Sequence, residues 1–152
     1  MDSPIIITHK KLRHEEILSL LKKFDSCFDP PFSCSVNLEE YAIKLFNNAC
    51  FVIAESANNI LGILVYYKNQ AQHEIYIPYL AVDLSFQSLS IGRHMLEELV
   101  RHVGLNYYTI VLEVMKRNTR AISFYRSNAF VCECERGDKL LMRRLLVDAN
   151  FR

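Results

Sequence analysis

Glycine is scarce in this sequence, with Gly62, Gly92, Gly104 and Gly137 the four present. Nucleotide loops of the Walker or dinucleotide type need several glycines at fixed spacing, and these four match neither pattern. Charge of one sign is scarce as well. Lys plus Arg number 18 against 17 Asp plus Glu, a formal charge of +1. Such a balance offers no basic field to a nucleic-acid backbone or an anionic membrane, and neither partner is expected. Long apolar runs are missing too. The opening "MDSPIIITHKK" is too short in apolar residues for a signal peptide or a membrane span. The five cysteines, Cys27, Cys34, Cys50, Cys132 and Cys134, are odd in number. Free thiols in a reducing cytoplasm are the expectation. Cys132 and Cys134 would share one face of a strand, half a metal site at most. Without a second close Cys/His pair they read as small core residues, and no metal is expected.

What is present suits one domain over residues 1–152, a size that buries about two-thirds of its unfolded surface. "PIIITHKKL" reads as a first strand, followed by a helix over His14–Phe24 with Ile17, Leu20, Leu21 and Phe24 at helical spacing. "DSCFDPPFSCS" breaks the helix through its adjacent prolines. Asn37, three residues before Glu40, reads as a cap for a helix whose apolar face is Leu38, Tyr41, Ala42, Leu45 and Phe46. "CFVIAES" and "ILGILVYY" read as a hairpin turning at Asn58 and Asn59. "EIYIPYLAVDL" is a strand in which Pro78 predicts a bulge or a missing ladder bond. Ile91, Met95, Leu96, Leu99 and Val103 predict a helix ended near Gly104. "YYTIVLEVM" is a strand, "NTRAISFYRSN" a helix, and "AFVCECE" and "KLLMRRLLV" the last two strands. This order indicates a mixed α/β sheet with helices on both faces.

The stretch "FQSLSIGRHMLEELV" reads as a strand end, a short polar loop and a helix opening at about Gly92. The first amides of a helix lack internal partners, and their partial positive charge can hold phosphate. Gly92 permits close backbone approach and Arg93 adds a formal charge. The local residues leave two readings open, a phosphate site or an ordinary turn before a surface helix. His73, His94 and His102 read as solvated surface residues.

Two longer stretches bear on that choice. "YLAVDLSFQSLSIGRHMLEEL" and then "LEVMKRNTRAISFYRSNAF" resemble the two central motifs of the GNAT superfamily of acetyl-CoA-dependent N-acetyltransferases. The family's acyl-CoA loop runs Gln/Arg-x-x-Gly-x-Gly/Ala, and Gln87-Ser88-Leu89-Ser90-Ile91-Gly92 stands here. Its later motif runs Asn-x-x-Ala-x-x-Phe/Leu-Tyr and closes in Gly-Phe; here stand Asn118, Ala121, Phe124, Tyr125 and then Ala129-Phe130. Two departures are Ser90 and Ala129, each where the family pattern has glycine.

The resemblance implies a mostly antiparallel sheet splayed between its fourth and fifth strands. It implies transfer of an acetyl group from acetyl-CoA directly to a primary amine, of a small molecule or of a protein N-terminus or lysine, without a metal. Leu80, Ala81 and Val82 would pair with the pantetheine arm and offer an amide to the thioester oxygen, an oxyanion donor. The segment Gln87, Ser88, Leu89, Ser90, Ile91, Gly92 and Arg93 would hold the pyrophosphate. Asn118 would bind the CoA arm, cap its helix, or do both. Tyr125 would protonate the departing thiolate, and Glu113, twelve residues earlier, would take the proton of the amine. Glu74 is the rival base. Asp25 and Asp29 with Phe24, Phe28 and Phe32 would suit an acceptor cation with an apolar body. The alternative is a non-catalytic acyl-CoA-binding or protein-interaction module on the same fold. The chain could act as a monomer or a homodimer.

Overall fold

The computed structural model describes residues 3–146. Among the described residues seven strands form one sheet: β1 Ile6–His9, β2 Cys50–Ser56, β3 Asn59–Asn69, β4 Glu74–Val82, β5 Thr109–Met115, β6 Val131–Arg136 and β7 Lys139–Leu145. Their spatial order is β1-β2-β3-β4-β5-β7-β6. Four α-helices accompany them among the same residues: α1 His14–Phe24, α2 Leu38–Asn48, α3 Ile91–Val103 and α4 Thr119–Ser127. The β1–β2, β2–β3, β5–β7 and β6–β7 pairs are antiparallel, while β4 and β5 run parallel. Element order and mixed sheet follow the sequence reading.

Two compact units make up the chain, Met1–Tyr66 with Tyr79–Leu99, and Tyr67–Pro78 with Val100–Arg152. In the first unit α1 buries the predicted stripe Ile17, Leu20, Leu21 and Phe24, each such side chain worth about 1.5–3 kcal/mol on leaving water. The Glu16 carboxylate accepts from the Arg13 amide at 3.1 Å and closes the start of α1. Asn37 caps α2 as expected, its Oδ1 accepting from the Glu40 amide at 3.0 Å. Phe46 leaves the expected buried face: it is half exposed, and its ring meets the edge of His14. Ala42 and Leu45 alone define the buried line of α2.

The β2–β3 hairpin turns at Ala57–Asn58, one residue earlier than the asparagine pair suggests. Both have positive φ, +48° and +66°, as the favoured two-residue hairpin turn requires. Asn59 is already paired with Ser56. Gly62 on β3 lies beneath α3. A Cβ there would sit 3.0 Å from Met95 Cε, 3.2 Å from Ile91 Cγ2 and 3.3 Å from the Ala81 carbonyl oxygen.

In the second unit the parallel ladder holds three residue pairs, Glu74–Tyr76 with Thr109–Val111. It ends two residues before Pro78, which has no amide hydrogen to give. The strand β6 carries a bulge. Cys132 pairs with Met142 and Cys134 with Leu141, so Glu133 is the extra residue. Opposed residues of an antiparallel pair share a face, and Met142 and Leu141 are neighbours on opposite faces. The two sulfurs therefore lie on opposite faces, and the expectation of a shared one fails. All five cysteines are free thiols, and Cys132 and Cys134 are exposed rather than the core residues expected.

Candidate active site

Within the first unit, β4 ends in a built turn. The Asp83 amide bonds to the Leu61 carbonyl at 2.7 Å, and its Oδ1 accepts from the Ser85 amide at 2.9 Å. A 3-10 helical turn over Leu84–Leu89 follows, where the sequence suggests a strand end and a polar loop. Ser90 then takes left-handed backbone, φ +59° and ψ +27°, and α3 begins at Ile91. His94 is the first residue whose amide closes a helical turn, on the Ser90 carbonyl at 3.1 Å. The amides just before it are the ones a helix start leaves without internal partners. Ile91 and Gly92 are buried, while Leu89, Ser90 and Arg93 are exposed. The Ser88 side chain lies outside what the structure describes.

Gln87, the first residue of the loop pattern, turns its side chain inward, Nε2 donating to the Val82 carbonyl at 3.2 Å. Cys27 Sγ donates to the same oxygen at 3.4 Å. Burial pushes the Cys27 thiol above its ordinary value, with the Asp83 charge adding to the effect. Ala81 and Val82 are buried and Leu80 is half-buried.

The aromatic segment after α1 packs on β4. Tyr79 meets Phe28 at 5.0 Å and Phe32 at 5.3 Å between ring centroids, and Phe32 meets Tyr41 at 5.1 Å. The carboxylate of Asp25 is committed within this segment, accepting from the Ser33 amide at 2.8 Å and the Ser33 hydroxyl at 2.5 Å. It shapes the loop, so these residues supply an aromatic wall with no spare carboxylate at Asp25.

Within the second unit, Asn118 caps α4, its Oδ1 accepting from the Ala121 amide at 3.1 Å. The other end of α4 closes through two bonds, Phe130 amide to Tyr125 carbonyl at 3.0 Å and Ala129 amide to Arg126 carbonyl at 3.2 Å. This pair of bonds is the Schellman motif, whose left-handed position is usually glycine. Ala129 fills it at φ +70°. The apolar contact that accompanies the motif is here Phe130 against Tyr125, with ring centroids 5.5 Å apart. Tyr125 is half-buried, and desolvation pushes its phenol above the ordinary tyrosine value, so it keeps its proton at neutral pH.

The candidate bases differ sharply. Glu74 Oε2 accepts from Arg143 Nη1 at 2.9 Å in a half-buried ion pair. Arg143 also donates from Nε to Glu133 at 2.9 Å and from Nη1 to the Thr109 hydroxyl at 3.3 Å. Glu113, half-buried on β5, has no hydrogen bond or ion pair among the described residues. Tyr76 stands near it. Burial raises the Tyr76 phenol, the Glu113 charge raises it further, and Arg136 opposes both. Tyr67 lies parallel to Tyr76, centroids 6.5 Å apart and 8° between planes. No motif flags these two tyrosines. The alternation in "EIYIPY" does put Glu74, Tyr76 and Pro78 on one face. His73, His94 and His102 are exposed, and the His73 ring stacks on Tyr108 at 4.7 Å.

Comparison with known proteins adds an independent line. No curated protein matches the chain significantly in sequence. Solved structures with the same fold include the PaiA N-acetyltransferase of Thermoplasma acidophilum in complex with coenzyme A. It has a TM-score of 0.75 at 18% identity, over 92% of this chain and 99% of that one. The ribosomal-protein-S18-alanine N-acetyltransferase of Escherichia coli has a TM-score of 0.73 at 18% identity, over 95% and 96%. A chimera of spermidine N-acetyltransferase SpeG from Vibrio cholerae and hSSAT has a TM-score of 0.72 at 18% identity, over 92% and 95%. The model of the acetyltransferase (GNAT) family matches residues 17–130, a span that takes in the Ser90 turn, Glu113 and Tyr125. The chain therefore belongs to the GNAT family of acetyltransferases and is an acyltransferase enzyme.

Proposed function

We propose that the protein moves an acetyl group from acetyl-CoA directly to a primary amine. The observation that carries this reading is the family match over residues 17–130, which draws on both compact units and supports one functional domain. The left-handed turn at Ser90 supports it further, because serine there takes a backbone that glycine adopts most readily, at the place where the family pattern has glycine. That backbone bears on cofactor binding, while the family match is what favours an enzyme over a bare binding module.

In this proposal the amides around Ser90–Arg93 at the start of α3 hold the pyrophosphate. The strand Leu80–Val82 offers backbone groups to the pantetheine arm and an amide to the thioester oxygen. Glu113 accepts a proton from the acceptor's ammonium, directly or through water. The freed nitrogen lone pair forms the new C–N bond as the C–S bond breaks, and Tyr125 gives its proton to the departing sulfur. Glu113 then releases its proton to solvent, the nitrogen of the new C–N bond gives up its second proton through solvent to the Tyr125 phenolate, and the products are an amide and free CoA. Glu74, tied to Arg143, keeps a structural role. A cytoplasmic setting suits the five free thiols.

Titration calorimetry with acetyl-CoA tests the reading. The parent is expected to bind, and Gly92→Glu is expected to abolish binding by placing bulk and negative charge beside the pyrophosphate. Thiol release with a panel of amines then separates enzyme from module. A folded Gly92→Glu variant with unchanged affinity would put the cofactor elsewhere.

A further inference from the structure

One face of the second unit sorts its charges along the strands. Tyr76 pairs with Val111, two residues before Glu113, and Glu74 pairs with Thr109. Glu113 pairs with Leu141 and Val111 with Arg143. Met115 pairs with Lys139, which pairs in turn with Arg136. Since opposed residues share a face and residues two apart do too, Glu74, Tyr76, Glu113, Arg136, Lys139 and Arg143 lie together.

At one end of this face Arg143 is spent on Glu74 and Glu133, at 2.9 Å each. At the other end Arg136 and Lys139 are exposed and form no ion pair or hydrogen bond among the described residues. Glu113 lies between the two ends with its carboxylate uncommitted. Of the remaining nearby acids, Glu135 pairs with Leu140 on the opposite face and is bridged to Lys116 at 2.9 Å, while Asp138 lies in the turn between Arg136 and Lys139, off the paired strands that make the face. Tyr67 and Tyr76 add two parallel rings, and the Tyr67 hydroxyl is buried without a hydrogen-bond partner.

We infer that this face takes the acceptor, and that the acceptor is a primary amine carrying an anionic group a few bonds from its nitrogen. The inference rests on the acetyl transfer proposed above and deepens it. The ammonium sits against Glu113 beside the tyrosine rings, which attract cations. The anion points toward Arg136 and Lys139. A polyamine is disfavoured by the same arrangement, because its second cation meets two like charges and finds no second free carboxylate among the described residues of the paired face. An amino acid and a peptide N-terminus followed by acidic residues share the required chemistry.

The full-length chain is assayed with acetyl-CoA by thiol release, and kcat/KM is compared across acceptors. The small-molecule set is γ-aminobutyrate, butylamine and spermidine. The peptide set is two pentapeptides with aspartate or lysine at the second and third positions. The parent is expected to favour the anion-bearing member of at least one set by about tenfold, and the set that does so identifies the source. The double variant Arg136→Glu/Lys139→Glu should reverse that order while acetyl-CoA affinity, read by calorimetry, stays put. A parent that prefers spermidine and the lysine peptide overturns the inference, as does a double variant that keeps the parent's order. If acetyl-CoA binds but the order is wrong, only the acceptor class falls. If acetyl-CoA does not bind, the acetyl-transfer reading falls first and takes this with it.

Discussion

Ser90 and Ala129 are the two places where the sequence departs from the family's glycines, and both keep left-handed backbone, at φ +59° and +70°. An L-residue there costs roughly 1–2 kcal/mol, which glycine avoids at the expense of about 0.4–1 kcal/mol of extra unfolded-chain entropy. Ala129→Gly should therefore raise stability by about 1.5 kcal/mol at most, a Tm rise of no more than about 3–6 °C for a chain of this size. Ser90→Gly should stabilise similarly and leave acetyl-CoA affinity equal or tighter. A tenfold weaker affinity would make the serine hydroxyl a true ligand. Tyr125→Phe keeps the ring against Phe130 but removes the proton, so turnover should fall by about tenfold to ten-thousandfold with little change in acetyl-CoA affinity. Glu113→Gln should lose activity that recovers as pH rises and free amine becomes abundant. A pH–rate profile matching the parent's would send the search for the base elsewhere. Both site motifs were legible as residue strings. What strings could not show is where their polar atoms go: Gln87 bonds inward to Val82, and Glu74 is tied to Arg143.

At the scale of elements, apolar periodicity was enough to place α1 over His14–Phe24 and α3 over Ile91–Val103, because each buries a continuous stripe. The turn Leu84–Leu89 was not legible, since a 3-10 segment repeats every three residues and too briefly to print a pattern. The bulge at Glu133 escaped for a similar reason. One inserted residue changes the facing of Cys134 without changing the composition of the strand. Gly62 marks a close approach between elements. Its missing side chain lets α3 approach β3, and Gly62→Val would press on Met95, Ile91 and the Ala81 carbonyl. Overpacking of this kind costs about 1–3 kcal/mol. Here the displaced element is the helix proposed to hold pyrophosphate. Thermal melts should show the lost stability, and calorimetry should show weaker acetyl-CoA binding. A variant that melts lower but binds normally would separate the two effects and disconnect Gly62 from the cofactor.

For the molecule as a whole, four buried or half-buried phenols set a limit at high pH. Tyr67, Tyr76, Tyr79 and Tyr125 are all raised above the usual tyrosine value, with burial the leading cause in each. Below the unfolded value, near 10, both states hold these protons and stability is intact. As pH rises past it the unfolded chain ionises first, binds fewer protons than the native state, and stability falls. Tyr79, 2% exposed, should contribute up to about 1.4 kcal/mol per pH unit to that fall. Its hydroxyl also lacks a hydrogen-bond partner among the described residues. Tyr79→Phe should thus stabilise the protein by about 1 kcal/mol at neutral pH and flatten the loss between about pH 10 and 11, as melting curves across that range would reveal. A steeper alkaline loss in the variant would contradict the account. The Val82 carbonyl, held at once by Cys27 and Gln87, has a kinetic consequence. Alkylation of Cys27 requires the thiol to let go of that oxygen, whereas the exposed Cys34 has no such gate. Labelling at Cys27 becomes a clock for the opening of the segment beside β4, with Cys34 as the ungated reference in the same tube. Acetyl-CoA, by ordering the turn that carries Gln87, should slow the clock without touching the reference.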